Sequence, residues 1–370
     1  MLKRLMLATG GTGGHIFPAL AVAQTVRDLH PECEIVFAGG EYGPEKEIVS
    51  RAGIRFKSFP ARGIVGRGLK SLGSIIWMSR SLVLSVIFLR SFRPQVVAGF
   101  GGYAGFMPVL AAAWLKIPTV IHEQNSCPGV TNRILSRKVS RVLISFPDEG
   151  NYFPRHAVVQ TGNPIRKEIM DRSRDYSSIT GQAKRLLIMG GSQGATGIND
   201  HVLKSLKHLK AMDVEIWHQT GKADYSRVKS VYETEYPEAK VEPFIENMAE
   251  AYSFASLVLC RAGASTLAEL CAMGIPSILV PFPYATHDHQ TINARYLEKQ
   301  GAALLLAQSY LDQVNLSRVV IDLMETPDKL REMGRAALKA GRPDAALRIV
   351  QELEKIAGVH GQVSRVEGPR

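Results

Sequence analysis

Residues 5–29 read LMLATGGTGGHIFPALAVAQTVRDL, and residues 185–209 read RLLIMGGSQGATGINDHVLKSLKHL. Each stretch is a short apolar run, a glycine-rich turn and then a helical pattern. A continuous apolar run of this length is what a parallel strand buried on both faces requires. Glycines directly after it allow a sharp turn and close backbone approach to a ligand. Two strand–loop–helix openings in one chain predict two Rossmann-like domains.

Further short apolar runs support this pattern on both sides. Candidate strands in the first half are Arg4–Ala8, Glu34–Ala38, Val96–Gly99, Thr119–His122, Arg141–Ile144 and Val158–Thr161. In the second half they are Arg185–Met189, Val214–His218, Leu257–Cys260 and Ser277–Val280. Helical stretches such as Pro18–Leu29 and Asn199–Leu209 lie between them, the alternation of a doubly wound α/β sheet. With 370 residues, two domains are expected. Asn163–Pro164 disfavours helix and marks the join. The predicted domains are 1–163 and 164–342. A helical tail at 343–357 is expected to pack back on the first. Two such domains face to face make a cleft, and open α/β sheets bind ligands beyond their strand C-termini.

Composition narrows the class. The chain is 45% hydrophobic and 21% charged, as expected of a folded protein. Its four cysteines (Cys33, Cys127, Cys260, Cys271) show neither a CxxC pair nor zinc spacing, which argues against a disulfide scaffold or structural zinc. Charge is lopsided. Residues 1–162 hold 19 Lys/Arg against 9 Asp/Glu, and residues 163–370 hold 26 against 25. The basic half should meet something anionic. Its most apolar stretch is Ser74–Leu89, SIIWMSRSLVLSVIFL, flanked by Arg62, Arg67, Lys70, Arg90 and Arg93. At 16 residues and broken by Arg80, it falls short of a spanning helix. It reads either as a buried helix with solvated basic ends or as a face that dips into anionic lipid.

The glycine loops are not nucleotide fingerprints. After Gly11-x-Gly13 a dinucleotide motif requires glycine at position 16, which is Ile16, and no GxxxxGK[ST] occurs. GGTGGH (10–15) instead offers backbone N–H groups at a helix N-terminus, a setting that favours anions; a simple tight turn is the alternative. GGSQGA (190–195) adds Ser192 and Gln193 as donors, suited to a diphosphate held without lysine. His122-Glu123-Gln124-Asn125 and Gly99-Phe100-Gly101-Gly102-Tyr103 end strands and should line the ligand side. Arg166, at the domain junction, could reach a phosphate. In the 260–269 stretch, CRAGASTLAE, Glu269 lies inside a helix where a carboxylate can bind paired ribose hydroxyls. Its alternative there is stabilisation of the helix dipole. His287-Asp288-His289 suggests a metal, but i, i+2 ligands do not share a helix face. Gln290 and Asn293 do, and could hydrogen-bond a sugar.

Taken in order, GGTGGH, GFGGYAG, HEQN, TGNPIR, GGSQGA, CRAGASTLAE and DHQTINA, between residues 10 and 294, resemble the MurG family of peptidoglycan synthesis. The resemblance implies a GT-B fold, two Rossmann-like doubly wound domains separated by a deep cleft. It implies inverting transfer of N-acetylglucosamine from UDP-N-acetylglucosamine to the C4 hydroxyl of undecaprenyl-diphosphate-linked muramyl-pentapeptide. It also implies peripheral attachment to the cytoplasmic face of the membrane through the first domain, with other cell-wall synthesis proteins as possible partners, and no cofactor, metal or nucleic acid. For the donor, it implies that Ile245 holds uracil, Glu269 the ribose, and Ser192 with Gln193 a phosphate near Arg166. Ala264, Ser265, Thr266 and Gln290 would contact sugar and diphosphate. Thr12, Gly13, Gly14 and Asn125 would reach across from the first domain. Gly101, Gly102 and Tyr103 would meet the acceptor.

Inversion requires a base for the acceptor proton and fixed donors for the departing diphosphate. No Asp-x-Asp metal handle is present in the sequence. His15 is favoured as base because histidine titrates near neutrality. Helix capping or acceptor-diphosphate binding are its alternatives, and Glu123 and His122 are the other candidate bases. Rival functions are transfer to another lipid such as diacylglycerol, 2-epimerisation of a nucleotide sugar, a basic nucleic-acid-binding protein, and a dinucleotide oxidoreductase. The last is disfavoured by the failed fingerprints.

Overall fold

The computed structural model describes residues 1–61, 71–171, 184–191 and 194–359, with the backbone alone at 71–75. Two compact units result: Met1–Pro164 together with the chain from Asp344 on, and Ile165–Pro343. The first runs β1 (Arg4–Ala8), α1 (Gly13–Leu29), β2 (Glu34–Gly40), α2 (Glu45–Arg51), β3 (Arg55–Phe59), α3 (Ser71–Phe92), β4 (Val96–Gly99), α4 (Tyr103–Trp114), β5 (Thr119–Glu123), α5 (Val130–Leu135), β6 (Arg141–Ile144) and β7 (Val158–Gln160). The second runs α6 (Lys167–Met170), β8 (Arg185–Met189), α7 (Thr196–Ala211), β9 (Glu215–Gln219), α8 (Tyr225–Glu235), β10 (Lys240–Glu242), α9 (Met248–Phe254), β11 (Leu257–Cys260), α10 (Ala264–Met273), β12 (Ser277–Leu279), α11 (His289–Lys299), β13 (Ala303–Leu305), α12 (Leu316–Met324) and α13 (Pro327–Ala340). A last helix, α14 (Ala345–Ile356), belongs to the first unit.

Both sheets are parallel. Their orders, β3-β2-β1-β4-β5-β6-β7 and β10-β9-β8-β11-β12-β13, follow the same Rossmann plan. In each, the chain leaves the central strand in one direction and later returns to build in the other. The switch points fall between β1 and β4 and between β8 and β11. These strands are apolar because both faces are covered. Leu5, Met6, Leu7 and Val97 are wholly buried in one sheet, and Leu187, Ile188, Val258 and Leu259 in the other. The three strands absent from the sequence expectation, β3, β10 and β13, are all edge strands.

On one face of the first sheet, Ile16, Val22 and Val26 of α1 share a core with Ile349, Val350 and Leu353 of α14. A His30–Glu354 contact of 2.6 Å closes that junction. On the other face, Leu89 and Phe92 of α3 pack with Val109 and Ala112 of α4. Burying each large aliphatic chain contributes about 1.5–3 kcal/mol. Helix α1 starts earlier than the expected Pro18, because the Thr12 carbonyl accepts from His15 and Ile16 N–H at 3.0 and 3.3 Å. His15 therefore stands in the first helical turn.

Candidate active site

The glycine motifs all come to the same kind of place. GGTGGH follows β1 and GFGGY follows β4, the strands at the switch point of the first sheet. GGSQGA follows β8 and CRAGAST follows β11, at the switch point of the second. The helices that open from these loops have N-caps Thr12, Gly102, Ala195 and Gly263, and none receives a side-chain capping bond. By contrast, α9 and α12 are capped by Asn247 and Asn315. The positive end of a helix dipole suits an anionic ligand.

In the first unit the two loops touch. Gly102 adopts φ +80°, and a Cβ there would lie 2.1 Å from the Gly10 carbonyl oxygen, so only glycine fits. A Cβ on Gly101 would lie 3.1 Å from the His15 ring. Gly101 and Gly102, expected at the acceptor, thus have a packing reason of their own: they admit the imidazole and the neighbouring loop. Tyr103 is exposed. Thr12 and Gly14 are exposed, and Gly13 packs against Phe17. His15 Nδ1 lies 2.9 Å from Gln124 Oε1. Glu45, buried at the start of α2, accepts from Gly11 N–H at 2.8 Å and steadies the loop from behind.

The HEQN residues divide into distinct roles. His122 is buried, with Nε2 2.9 Å from the Gly162 carbonyl, and burial pushes its pKa down to about 4. It is a neutral interior group and not an accessible base. Glu123, the other expected catalytic residue, is enclosed as well. It is 3% exposed, and both carboxylate oxygens are engaged. One accepts from Asn125 N–H (3.0 Å), the other from Gly129 N–H (3.2 Å) and Asn132 Nδ2 (2.8 Å). A carboxylate so enclosed holds the loop in shape. Asn125, presented by that loop, is half-buried.

In the second unit, Glu269 is the centre. Its Oε2 accepts from Tyr252 hydroxyl at 2.8 Å, and Arg166 Nη2 lies 3.3 Å from its Oε1. Burial raises the Glu269 pKa, while Arg166 and the Tyr252 hydroxyl pull it back. Arg166, expected at a phosphate, is seated on this carboxylate. Ala264, Ser265 and Thr266 form the first turn of α10 behind Gly263. Ile245 is buried beside exposed Phe244, before α9. Gln290 Oε1 accepts from Phe282 N–H at 2.9 Å, which shapes the loop ahead of α11. Asn293, paired with Gln290 in the sequence reading, is fully buried with its amide 3.4 Å from the Ala262 carbonyl, so it does not share that outward role. Ser192 and Gln193 lie outside the described residues. Gly194, next to them, adopts φ +78°, where a Cβ would lie 2.6 Å from the Thr220 carbonyl oxygen.

Two supporting residues, Glu45 and Tyr252, had no sequence signal as site residues, and Arg261 stood within the CRAGASTLAE motif without an assigned role. Arg261 donates to the Val280 and Pro281 carbonyls (3.1 and 3.0 Å) and to Gln308 Oε1 (2.6 Å). At 287–289, Asp288 Oδ1 takes the Thr291 hydroxyl and His289 Nδ1 lies 2.8 Å from the Thr286 carbonyl. No group of three His, Cys, Asp or Glu among the described residues could hold a metal ion.

Comparison with known proteins bears on what these loops serve. Residues 5–144 match the glycosyltransferase family 28 N-terminal domain, and residues 185–349 its C-terminal domain. A Solidesulfovibrio magneticus protein is 48% identical over 370 aligned positions, covering 98% of this chain and all of the relative. Its name is UDP-N-acetylglucosamine--N-acetylmuramyl-(pentapeptide) pyrophosphoryl-undecaprenol N-acetylglucosamine transferase. The crystal structure of Acinetobacter baumannii MurG superposes with a TM-score of 0.77 at 32% identity, covering 95% of this chain and 99% of that one. A UDP-GlcNAc 2-epimerase from Neisseria meningitidis has a TM-score of 0.67 at 16% identity, covering 95% of this chain and all of that one. That likeness is one of fold alone.

Proposed function

The chain belongs to glycosyltransferase family 28, among the pyrophosphoryl-undecaprenol N-acetylglucosamine transferases, and from this we propose that it moves N-acetylglucosamine from UDP-N-acetylglucosamine to the C4 hydroxyl of a polyprenyl-diphosphate-linked muramyl-pentapeptide. The observation that carries the reading is the near full-length identity to enzymes of that name. The switch-point loops supply the chemistry. In the second unit, Glu269, oriented by Tyr252 and Arg166, accepts the ribose hydroxyls, and the N-termini of α7 and α10 serve the diphosphate. Ile245, Ala264, Ser265, Thr266 and Gln290 complete the donor site, with Ser192 and Gln193 assigned from the resemblance alone. For the first unit, the resemblance alone assigns Thr12, Gly13, Gly14 and Asn125 to the donor and Gly101, Gly102 and Tyr103 to the acceptor.

The reaction is a single in-line displacement. His15 takes the acceptor hydroxyl proton, the sugar passes through oxocarbenium character, and negative charge collects on the leaving diphosphate. Preorganised backbone donors stabilise that charge without reorganising. A positioned base contributes about 10²–10⁴-fold.

Membrane attachment falls to α3. Its buried face carries Ser81, Ser85 and Leu89, while Ile76, Val83, Leu84 and Ile87 point outward at helical spacing; Ile76 is 72% and Ile87 60% exposed. An apolar stripe on the solvent side of a helix, with Arg80 and Arg90 on that helix and Arg93 just past its end, suits an anionic lipid surface. Arg62, Arg67 and Lys70 lie outside the described residues. No described helix is long and apolar enough to cross a membrane.

The deciding experiment incubates the protein with radiolabelled UDP-N-acetylglucosamine and a short-chain polyprenyl-diphosphate muramyl-pentapeptide, with EDTA and then with magnesium. Label in the lipid product is expected. Donor bound but no transfer in either condition would overturn the acceptor assignment. In parallel, His15→Gln is expected to lower kcat about 100-fold or more with little change in donor KM.

A further inference from the structure

A chain of hydrogen bonds runs from His15 into the interior of the first unit, and its direction is determined by its two carbonyl ends. Gln124 Nε2 lies 3.0 Å from the Phe100 carbonyl oxygen, an atom that only accepts. That end of the amide is therefore the NH2 group, and Oε1 is the end turned to His15. Since Oε1 also only accepts, the His15 nitrogen 2.9 Å away, Nδ1, must carry a proton. The second Gln124 N–H faces His122 Nδ1 at 3.1 Å, which must then accept. His122 keeps its proton on Nε2 and donates it to the Gly162 carbonyl at 2.9 Å. Both ends agree, and for a neutral His15 the four contacts place its proton on Nδ1.

We infer that Gln124 and His122 are positioning residues that hold neutral His15 with its proton on Nδ1, leaving the Nε2 lone pair to receive the acceptor proton. The inference rests on His15 as the base, but the tautomer itself does not. In water neutral imidazole prefers its proton on Nε2, so the protein inverts the intrinsic preference and turns the basic nitrogen outward. Gln124 is buried, and His122 behind it is wholly buried and stays neutral. A neutral amide differs in effect from a carboxylate at this position. It sets the tautomer and the ring angle without bringing a negative charge to the ring. The other acidic groups nearby are turned elsewhere: Glu45 to Gly11 N–H, and Glu123 to Asn125, Gly129 and Asn132. Gly101 lets the ring lie close to the neighbouring loop, since a Cβ there would come within 3.1 Å of it.

The test is ¹⁵N NMR of the full-length protein labelled at histidine, at about pH 8 so that imidazoles are neutral, with the His15 signal identified by its loss in His15→Gln. Wild-type His15 is expected to show a protonated Nδ1 and an unprotonated Nε2. In Gln124→Met the pattern is expected to move toward the Nε2–H form, with kcat falling about 10- to 100-fold and donor KM little changed. A wild-type His15 protonated on Nε2 overturns the inference without recourse to any variant. So does a tautomer unchanged by Gln124→Met. A tautomer that behaves as stated, with kcat intact in both Gln124→Met and His15→Gln, supports the tautomer assignment and overturns the base reading beneath it.

Discussion

Burial at Glu269 works against the charge that its role requires. Removing the carboxylate from water raises its pKa, and the Arg166 guanidinium and Tyr252 hydroxyl oppose that rise. An ionised Glu269 accepts from ribose hydroxyls through both oxygens, whereas a protonated one spends one oxygen as a donor. Donor affinity should therefore weaken as pH falls, from a point above the ordinary carboxylate range. Glu269→Gln is expected to raise the donor Kd about 10- to 100-fold, the worth of hydrogen bonds to a charged group. Tyr252→Phe removes one of the two opposing contacts and should move the acid limb of donor binding to higher pH. Calorimetric titration of UDP from pH 5 to 8 checks both; an acid limb unmoved in Tyr252→Phe would show that the hydroxyl does not govern the carboxylate. Glu269 itself was legible in the sequence from its place in a strand–turn–helix motif. Tyr252 was not, because a tyrosine in an apolar helix reads as core until its hydroxyl is seen to point at a carboxylate 17 positions on. Glu45 was hidden likewise, as one of two glutamates in the first turn of α2.

Among the elements, legibility followed coverage. The central strands announced themselves as unbroken apolar runs because helices cover both faces. The three that escaped notice, β3, β10 and β13, each pair on one side only. The first two carry charges in their short runs, RFKSF and KVE, since an edge strand meets water and guards against stray pairing with lysine and arginine. Helix α3 shows the opposite limit. Its sequence is apolar nearly all round, so periodicity could not say which face is buried, and both readings of it stayed open. The structure resolves the faces by burying Ser81 and Ser85, whose hydroxyl–carbonyl bond of 2.7 Å satisfies Ser85 internally, and leaving Val83 and Ile87 outside. Val83→Glu with Ile87→Glu should then cost little stability, since neither chain is in the core. The double change is expected to weaken binding to vesicles containing anionic lipid by about 10-fold or more, from lost apolar burial and added repulsion. Vesicle co-sedimentation at two salt concentrations measures this. Undiminished binding would remove α3 as the lipid-facing element.

Across the whole molecule, the same sheet plan is used twice with different charge, +10 in residues 1–162 and +1 in the rest. Each copy also encloses a histidine that must stay neutral to remain folded. In the first unit this is His122, pushed down to about 4; in the second it is His218, pushed down to about 3, both by burial. His218 is held between Asn199 Oδ1 and the Tyr232 hydroxyl, 3.0 Å from each. Unfolding exposes both to water, where an imidazole titrates near 6.5. Between the folded and unfolded pKa values the unfolded chain binds more protons, so stability is complete above about pH 6.5 and falls with acid. Each histidine contributes a loss of about 1.4 kcal/mol per pH unit, over pH 6.5 to 4 for His122 and 6.5 to 3 for His218. The units can be followed separately, because Trp217 is the sole tryptophan of the second and Trp77 and Trp114 lie in the first. In a Trp77→Phe, Trp114→Phe background, urea midpoints from Trp217 fluorescence should drop steeply from pH 6.5 to 4.5. His218→Gln should lower the midpoint at pH 7.5 yet flatten its acid dependence by one proton. A slope unchanged in His218→Gln would mean that other groups carry the acid sensitivity of the second unit, and that His218 finds its proton without unfolding.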